Sequence, residues 1–261
     1  MFLLALLATW AAVSSAGVVK PWLLPSPRDV LGSLRDGMGD GLGPRLCAWG
    51  DHGCVQMGSL GWGVLVSMRR LLLGYLVSLV GGVLLGLGLA RSKWLDQSIG
   101  TLVLGLQALP SICWLPLAVL WFGLSEAAIL FVVIVGSLLA VTVAAEAGVR
   151  TVPPLLVRAA RTMGASGFTL YARVILPAAL PPILTGARMG WTFAWRSLMA
   201  GELIFVAGGI GQLLKVGQDT NDMARVIAVM GVIIALGLTI EVLVFARLEA
   251  RVRERWGYDR G

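Results

Sequence analysis

The chain has 261 residues, 57% of them hydrophobic and 13% charged, with a mean hydropathy of +0.86 and a formal net charge of +7. Globular chains average about 25% charged residues, so an ordinary soluble domain is excluded. The surplus Lys and Arg form no long basic run and accompany no base-stacking motif, which argues against nucleic-acid binding. In a membrane protein the same surplus reflects basic residues retained in cytoplasmic loops.

Residues 1–19 carry no charge and predict a first transmembrane span. The alternative is a secretory signal peptide, with Ser14-Ser15-Ala16 as a small-residue cleavage site, but the basic leader of such peptides is missing. Residues 20–68 read as an extracytoplasmic loop rich in Gly and Pro. Within it Ser26-Pro27-Arg28-Asp29-Val30 starts a short amphipathic surface helix with Val30, Leu31 and Leu34 on one side. The second span is residues 71–90, opened by Arg69-Arg70 and closed by Arg91 and Lys93; Gly82 and Gly86, four apart, invite a close helix neighbour. The third is residues 101–122, kinked at Pro110 and Pro116. Residues 123–126 turn into a fourth span at 127–145. Residues 146–188 are too charged for lipid, the fifth and sixth spans follow at 189–206 and 226–246, and residues 247–261 form a charged tail. The expected fold is all-α and polytopic: about six spans, with a transmembrane core at residues 69–246 that includes an inner loop at 146–188. With the N-terminus inside, twelve of the 21 Lys and Arg fall on the inner side, eight on the outer and Arg196 within a span, so both termini are expected to be cytoplasmic.

The inner loop carries the most information. Pro153-Pro154 suits a helix start. Leu155, Ala159 and Met163 then recur at four-residue spacing, with Leu156 and Ala160 beside them and Arg158 and Arg161 as a basic edge. Gly164 is placed to end that helix. Ser166 opens a second short helix that Leu176-Pro177 would close. Such a helix either docks into a partner, with Ala159 and Ala160 allowing close approach, or lies on the membrane surface.

Arg158-Ala159-Ala160, three residues, Gly164, nine residues, Val174, one residue, Leu176-Pro177 resembles the signature loop of the binding-protein-dependent ABC importer permeases, Glu-Ala-Ala-x3-Gly-x9-Ile-x-Leu-Pro. Arg158 stands where the family has Glu, and Val174 where it has Ile. Leu24-Pro25-Ser26-Pro27, Leu109-Pro110-Ser111, Trp114-Leu115-Pro116-Leu117, Leu120-Trp121-Phe122-Gly123 and Ala200-Gly201-Glu202 resemble the nitrate/sulfonate/taurine/bicarbonate branch. The resemblance implies a type I importer permease in a bacterial inner membrane. It implies a second permease subunit, expected as a homodimer, with two ATPase subunits beneath and an extracytoplasmic binding protein above. Residues 151–166 would be the coupling helix, with Leu155, Arg158, Ala159, Ala160, Arg161, Met163, Gly164, Ala165, Ser166, Leu176 and Pro177 at the ATPase contact. No Gly-x4-Gly-Lys-Ser/Thr phosphate loop occurs. The chain is therefore expected to be no enzyme and to bind no cofactor, ATP being used by the partner. The implied solute is a small anion such as nitrate, a sulfonate or taurine, with bicarbonate or a pyrimidine-type precursor as alternatives.

Arg196 and Glu202 are charges in or near the fifth span, where charge usually faces an interior or a cavity. They are candidate pathway residues, Arg196 as an attractor of anions, with an interhelical bond as the plainer reading; Trp195 is core or pathway. Six residues apart, the two should not pair with each other. Glu241 is read as structural, pairing with the basic tail. Cys47 and Cys54, with Asp51 and His52 between them, would form a disulfide in an oxidising compartment. The alternatives are free thiols or a metal site, but no strong metal pattern is present. Cys113 reads as a small hydrophobe. A gradient-driven transporter would favour an inverted repeat and a membrane enzyme a catalytic cluster; neither is evident.

Overall fold

A computed structural model describes residues 2–15, 20, 23–39, 45–46, 55–56, 60–204 and 208–256. The chain packs as two compact units, one of Met1–Arg70 with Met199–Gly237, the other of Leu71–Leu198 with Leu238–Gly261.

In the first unit, α1 (Phe2–Ser15) has 14 residues, about 21 Å of helix against a hydrocarbon core of about 30 Å. Trp10 Nε1 donates to the Pro25 carbonyl at 3.2 Å, tying it to the entry of α2 (Pro27–Gly39). That entry is a reciprocal cap: Asp29 N–H donates to Ser26 Oγ at 3.3 Å, while Ser26 N–H and Oγ–H donate to Asp29 Oδ2 at 3.0 and 2.7 Å. These bonds hold the Asp29 carboxyl below its ordinary pKa. Val30 is the buried residue of the expected apolar side, whereas Leu31 faces outward. Arg45–Leu46 and Val55–Gln56 pair as a two-residue antiparallel ladder. The strands of this ladder are β1 and β2; Cys47 and Cys54 lie outside the described residues.

The next helix, α3 (Leu60–Arg91), begins well before the expected second span. It makes Leu60–Met68 helical rather than loop and places Arg69-Arg70 inside a helix. Leu60 meets Ile210 of α9 (Ile210–Asp219) and Val229 of α10 (Met223–Ile240) in the unit's apolar core.

In the second unit, the expected third span is broken. α4 (Lys93–Gln107) and α5 (Ser111–Phe122) meet at 103°. The break falls at Leu109-Pro110, because a residue before proline is disfavoured in the helical region and Pro110 itself is extended (φ −55, ψ 139). Pro116 does not kink anything: it sits in the first turn of the Leu115–Phe122 segment, where no N–H is required. Gly123, at φ 65, turns the chain, and Ser125 caps α6 (Glu126–Arg150).

The inner loop is shorter than expected, since α6 runs through Glu146 to Arg150 and α8 (Gly167–Ile204) starts far ahead of residue 189. Only α7 (Pro154–Thr162) and its connections remain between them. Leu176-Pro177 does not terminate a helix. A π-helical turn at Tyr171–Ile175 leads straight through it, and the Leu176 N–H bonds back five residues to the Tyr171 carbonyl. The ladder has already slipped one residue where Pro177 withdraws its donor. α10 similarly passes through a π-helical turn at Glu241–Ala246 into α11 (Arg247–Trp256).

Glycine sets the packing. A Cβ on Gly82 would sit 2.8 Å from Val141 Cβ, and one on Gly86 2.6 Å from the Thr142 carbonyl oxygen. The close neighbour invited by this pair is α6. Gly186 and Gly190 of α8 press on Ala144 and Val141 in the same way, so α6 is clasped between α3 and α8 by small residues. Tyr75 closes the contact, donating to the Ala187 carbonyl at 2.8 Å with its ring edge-on to Trp191 at 5.2 Å.

Among the described residues, α3, α6, α8 and the Met223–Val252 helix are each long and apolar enough to cross a membrane, and the broken α4–α5 pair is a further candidate.

Candidate functional site

The signature segment is a short helix with two unlike faces. On one face Ala160 is 3% exposed and joins Val152, Leu170 and Ile175 in a buried cluster. On the other, Leu155 is 77% and Met163 81% exposed, with Ala159, Arg158 and Arg161 exposed beside them. The two expected close-approach residues therefore divide: Ala160 packs α7 onto its own unit, and Ala159 faces out. Gly164 ends the helix at φ 87. Ala165 N–H reaches the Ala160 carbonyl and Gly164 N–H the Arg161 carbonyl, both at 3.0 Å, a paired Schellman closure that requires the left-handed residue. Ser166 precedes α8 in extended conformation without a side-chain capping bond. Leu176 and Pro177 lie within α8, beyond the π-helical turn.

Arg150, at the end of α6, donates to Asp96 at 2.5 Å and to Glu146 at 3.0 Å. Arg188 bonds Glu241 and, at 3.0 Å, Glu249. Glu241 is structural as expected, but its partner is Arg188 of α8 rather than the basic tail.

The two charged pathway candidates have opposite fates. Glu202 is fully buried. Its carboxylate accepts from Ser67 Oγ at 2.7 and 2.8 Å, Arg70 Nη1 at 3.2 Å and Gly211 N–H at 3.0 Å. Ser67 Oγ in turn accepts from Ile210 N–H at 2.9 Å. A Cβ on Gly211 would lie 2.5 Å from Glu202 Cβ, and one on Gly209 would overlap the carboxylate. Glu202 is thus enclosed as an anchor for the start of α9 and offers nothing to a solute. Sequence reading missed its partners. Ser67 and Arg70, three apart on one face of an apolar helix, were the available signal.

Arg196 is exposed and lines a cavity of about 390 Å³ at the α4–α5 break. Gln107 and Ser111 flank the break, and Trp114, Phe193 and Gly136 of α6 also line the cavity. Glycine is needed there: a Cβ would press on Ser197 Oγ and sit 3.3 Å from Ser111 Cβ. These residues come from four helices, so linear sequence held no signal for the set. Trp195 is half-buried and is not among the lining residues. Cys113 on α5 is an exposed free thiol. Among the described residues no group of three or more potential metal ligands occurs.

Residues 79–254 match the family model described as "Binding-protein-dependent transport system inner membrane component". The taurine transport system permease protein TauC of Escherichia coli is 29% identical over 89% of this chain and 82% of its own. SsuC of Escherichia coli, a permease named for aliphatic sulfonates, is 30% identical over 96% and 88%. Among solved structures, a chain of the MetNI methionine ABC transporter in inward-facing conformations is 20% identical with a TM-score of 0.65, covering 73% of this chain and 94% of that one.

Proposed function

The chain belongs to the binding-protein-dependent transport system inner membrane components, multi-pass permeases, and from that membership we propose how it works. Two copies form the pathway, two separate ATPase subunits dock beneath, and an extracytoplasmic binding protein delivers a small anion. The relative named for aliphatic sulfonates supports that solute class. The chain has no phosphate-binding loop of its own, so hydrolysis belongs to the partner and its closure is transmitted through this subunit.

The observation that carries the reading is the outward apolar face of α7. A helix of nine residues, too short to cross a membrane, presents Leu155 and Met163 almost fully exposed, with arginines around them and its other face committed to the unit's own core. Exposed apolar residues clustered this way mark an interaction site. Their place in the signature segment supports the ATPase as that partner. The single cap at Gly164 fixes the angle at which the face is presented.

The test is co-purification. Leu155→Asp with Met163→Asp leaves the Ala160 face intact, so the permease should still reach the membrane. Its hold on the ATPase should weaken by at least about 2 kcal/mol, roughly thirtyfold. A double variant that retains its ATPase at the wild-type ratio would show that this face is not the dock.

A further inference from the structure

The cavity at the α4–α5 break has its own chemistry. Among the described residues, Arg196 is the only ionised one in its lining, and no carboxylate lines it. Among the described residues no acid lies within ion-pair distance of Arg196, whereas Arg150 and Arg188 each hold two acids. An exposed guanidinium on an apolar span, without a counter-ion, creates a positive field that a bound anion would neutralise. Gln107 and Ser111 add uncharged donors at the mouth. Ser197, the residue after Arg196, is fully buried, and its hydroxyl has no hydrogen-bond partner among the described residues. It packs against Gly136, which lines the cavity. An orphaned buried hydroxyl in a well-packed helix cluster needs a reason, and a polar occupant or its water supplies one.

The rest of the lining is apolar, Trp114 and Phe193 above all. At about 390 Å³ the space lies within the roughly 300–1,000 Å³ range of small-molecule sites, far more than a bare inorganic oxyanion fills. A zwitterion would bring an ammonium into a field set by Arg196, with no carboxylate to receive it. We propose that this cavity is a solute station of the permease itself: Arg196 holds the head of a small organic monoanion, and Trp114 and Phe193 hold its apolar body. Selection is then exercised a second time after the binding protein, against inorganic oxyanions and against zwitterions. The inference rests on the permease reading.

The test uses the assembled permease–ATPase complex in nanodiscs without nucleotide, with radiolabelled hexanesulfonate as the probe and nitrate and taurine as competitors. Wild-type complex should bind the probe, and both competitors should be at least tenfold weaker. Arg196→Gln should weaken probe binding at least tenfold and Arg196→Lys by less, with ATPase content unchanged. Ala108→Phe, which fills the cavity from an exposed position, should abolish binding independently of Arg196. Unchanged affinity in Arg196→Gln or in Ala108→Phe overturns the station, as does nitrate or taurine competing on equal terms. If either of these occurs while the ATPase stays bound, the permease reading stands and only the station falls. A wild-type chain that never associates with an ATPase overturns both.

Discussion

Glu202 and Arg196 sit six residues apart on one helix, and their surroundings give them opposite work. Glu202 is tolerated at zero exposure because three donors converge on it, and because Arg70, itself 5% exposed, brings a countercharge. Removing one member of a buried ion pair leaves the other uncompensated, at a cost of about 3–5 kcal/mol. Glu202→Ala should therefore lower the unfolding midpoint of the detergent-solubilised protein sharply. The double variant Arg70→Met with Glu202→Leu, which removes both charges, should recover most of the loss. If Glu202→Ala melts with wild type, the network is not structural. The charge of Glu202 in a span was legible from sequence. Its confinement was not, because the residue that neutralises it lies 132 positions away, and Arg70 read from its neighbours looked like a flank of the second span. Arg196 was legible as a charge seeking a cavity. The cavity itself was not, since it exists only where α4 and α5 part.

Helices contribute through where their backbones can touch. Of the α3 glycines at positions 82, 86 and 88, the first two meet a neighbour within 4 Å and the third does not. A methyl group at Gly86 would meet α6 backbone, at 2.6 Å from the Thr142 oxygen and 2.9 Å from the Glu146 nitrogen, and backbone cannot rotate away. Gly86→Ala should cost about 1–3 kcal/mol through overpacking. Gly88→Ala, in open space on the same helix, should be neutral or mildly stabilising because alanine favours helix by up to about 1 kcal/mol. Thermal unfolding of the two variants side by side checks this, and equal midpoints would contradict the packing. The spacing of Gly82 and Gly86 along the chain is enough to announce a close contact, as the missing charge announces the spans. Prolines were less legible. Pro110 breaks a span, Pro116 starts a helical segment and Pro177 is carried through a π-helical turn. What separates them is which carbonyl each would have bonded, a property of register that residue type does not reveal.

At the scale of the whole molecule, the direction of two helices decides how the chain crosses the membrane. Residues 74, 82 and 86 of α3 meet residues 133, 141 and 145 of α6 in ascending order, so the two helices run parallel. Their C-terminal ends, at Arg91 and Arg150, then share one side of the membrane. Two parallel spans in sequence require a return crossing between them, and α4–α5 is the segment available. With α3 and α6 both crossing, the broken pair is expected to be one span with a cavity at its bend, not a loop that dips in and retreats. The bias of basic residues predicts that the shared side is the inner one, and α7 would then lie inside as well. In that orientation α8 would lead out and the Met223–Val252 helix back. Arg70, which counted against this orientation, is a buried partner of Glu202 rather than a loop charge. The prediction is read with single cysteines in a chain whose Cys47, Cys54 and Cys113 are replaced, using a membrane-impermeant maleimide. Met163→Cys should react only in inside-out vesicles. Leu31→Cys, on the exposed side of α2, and Thr220→Cys, at the exposed turn before α10, should react only in right-side-out ones. Met163→Cys and Thr220→Cys labelling from the same side would mean that α8 does not cross, and Met163→Cys labelling only in right-side-out vesicles would remove α7 from the face where an ATPase can reach it.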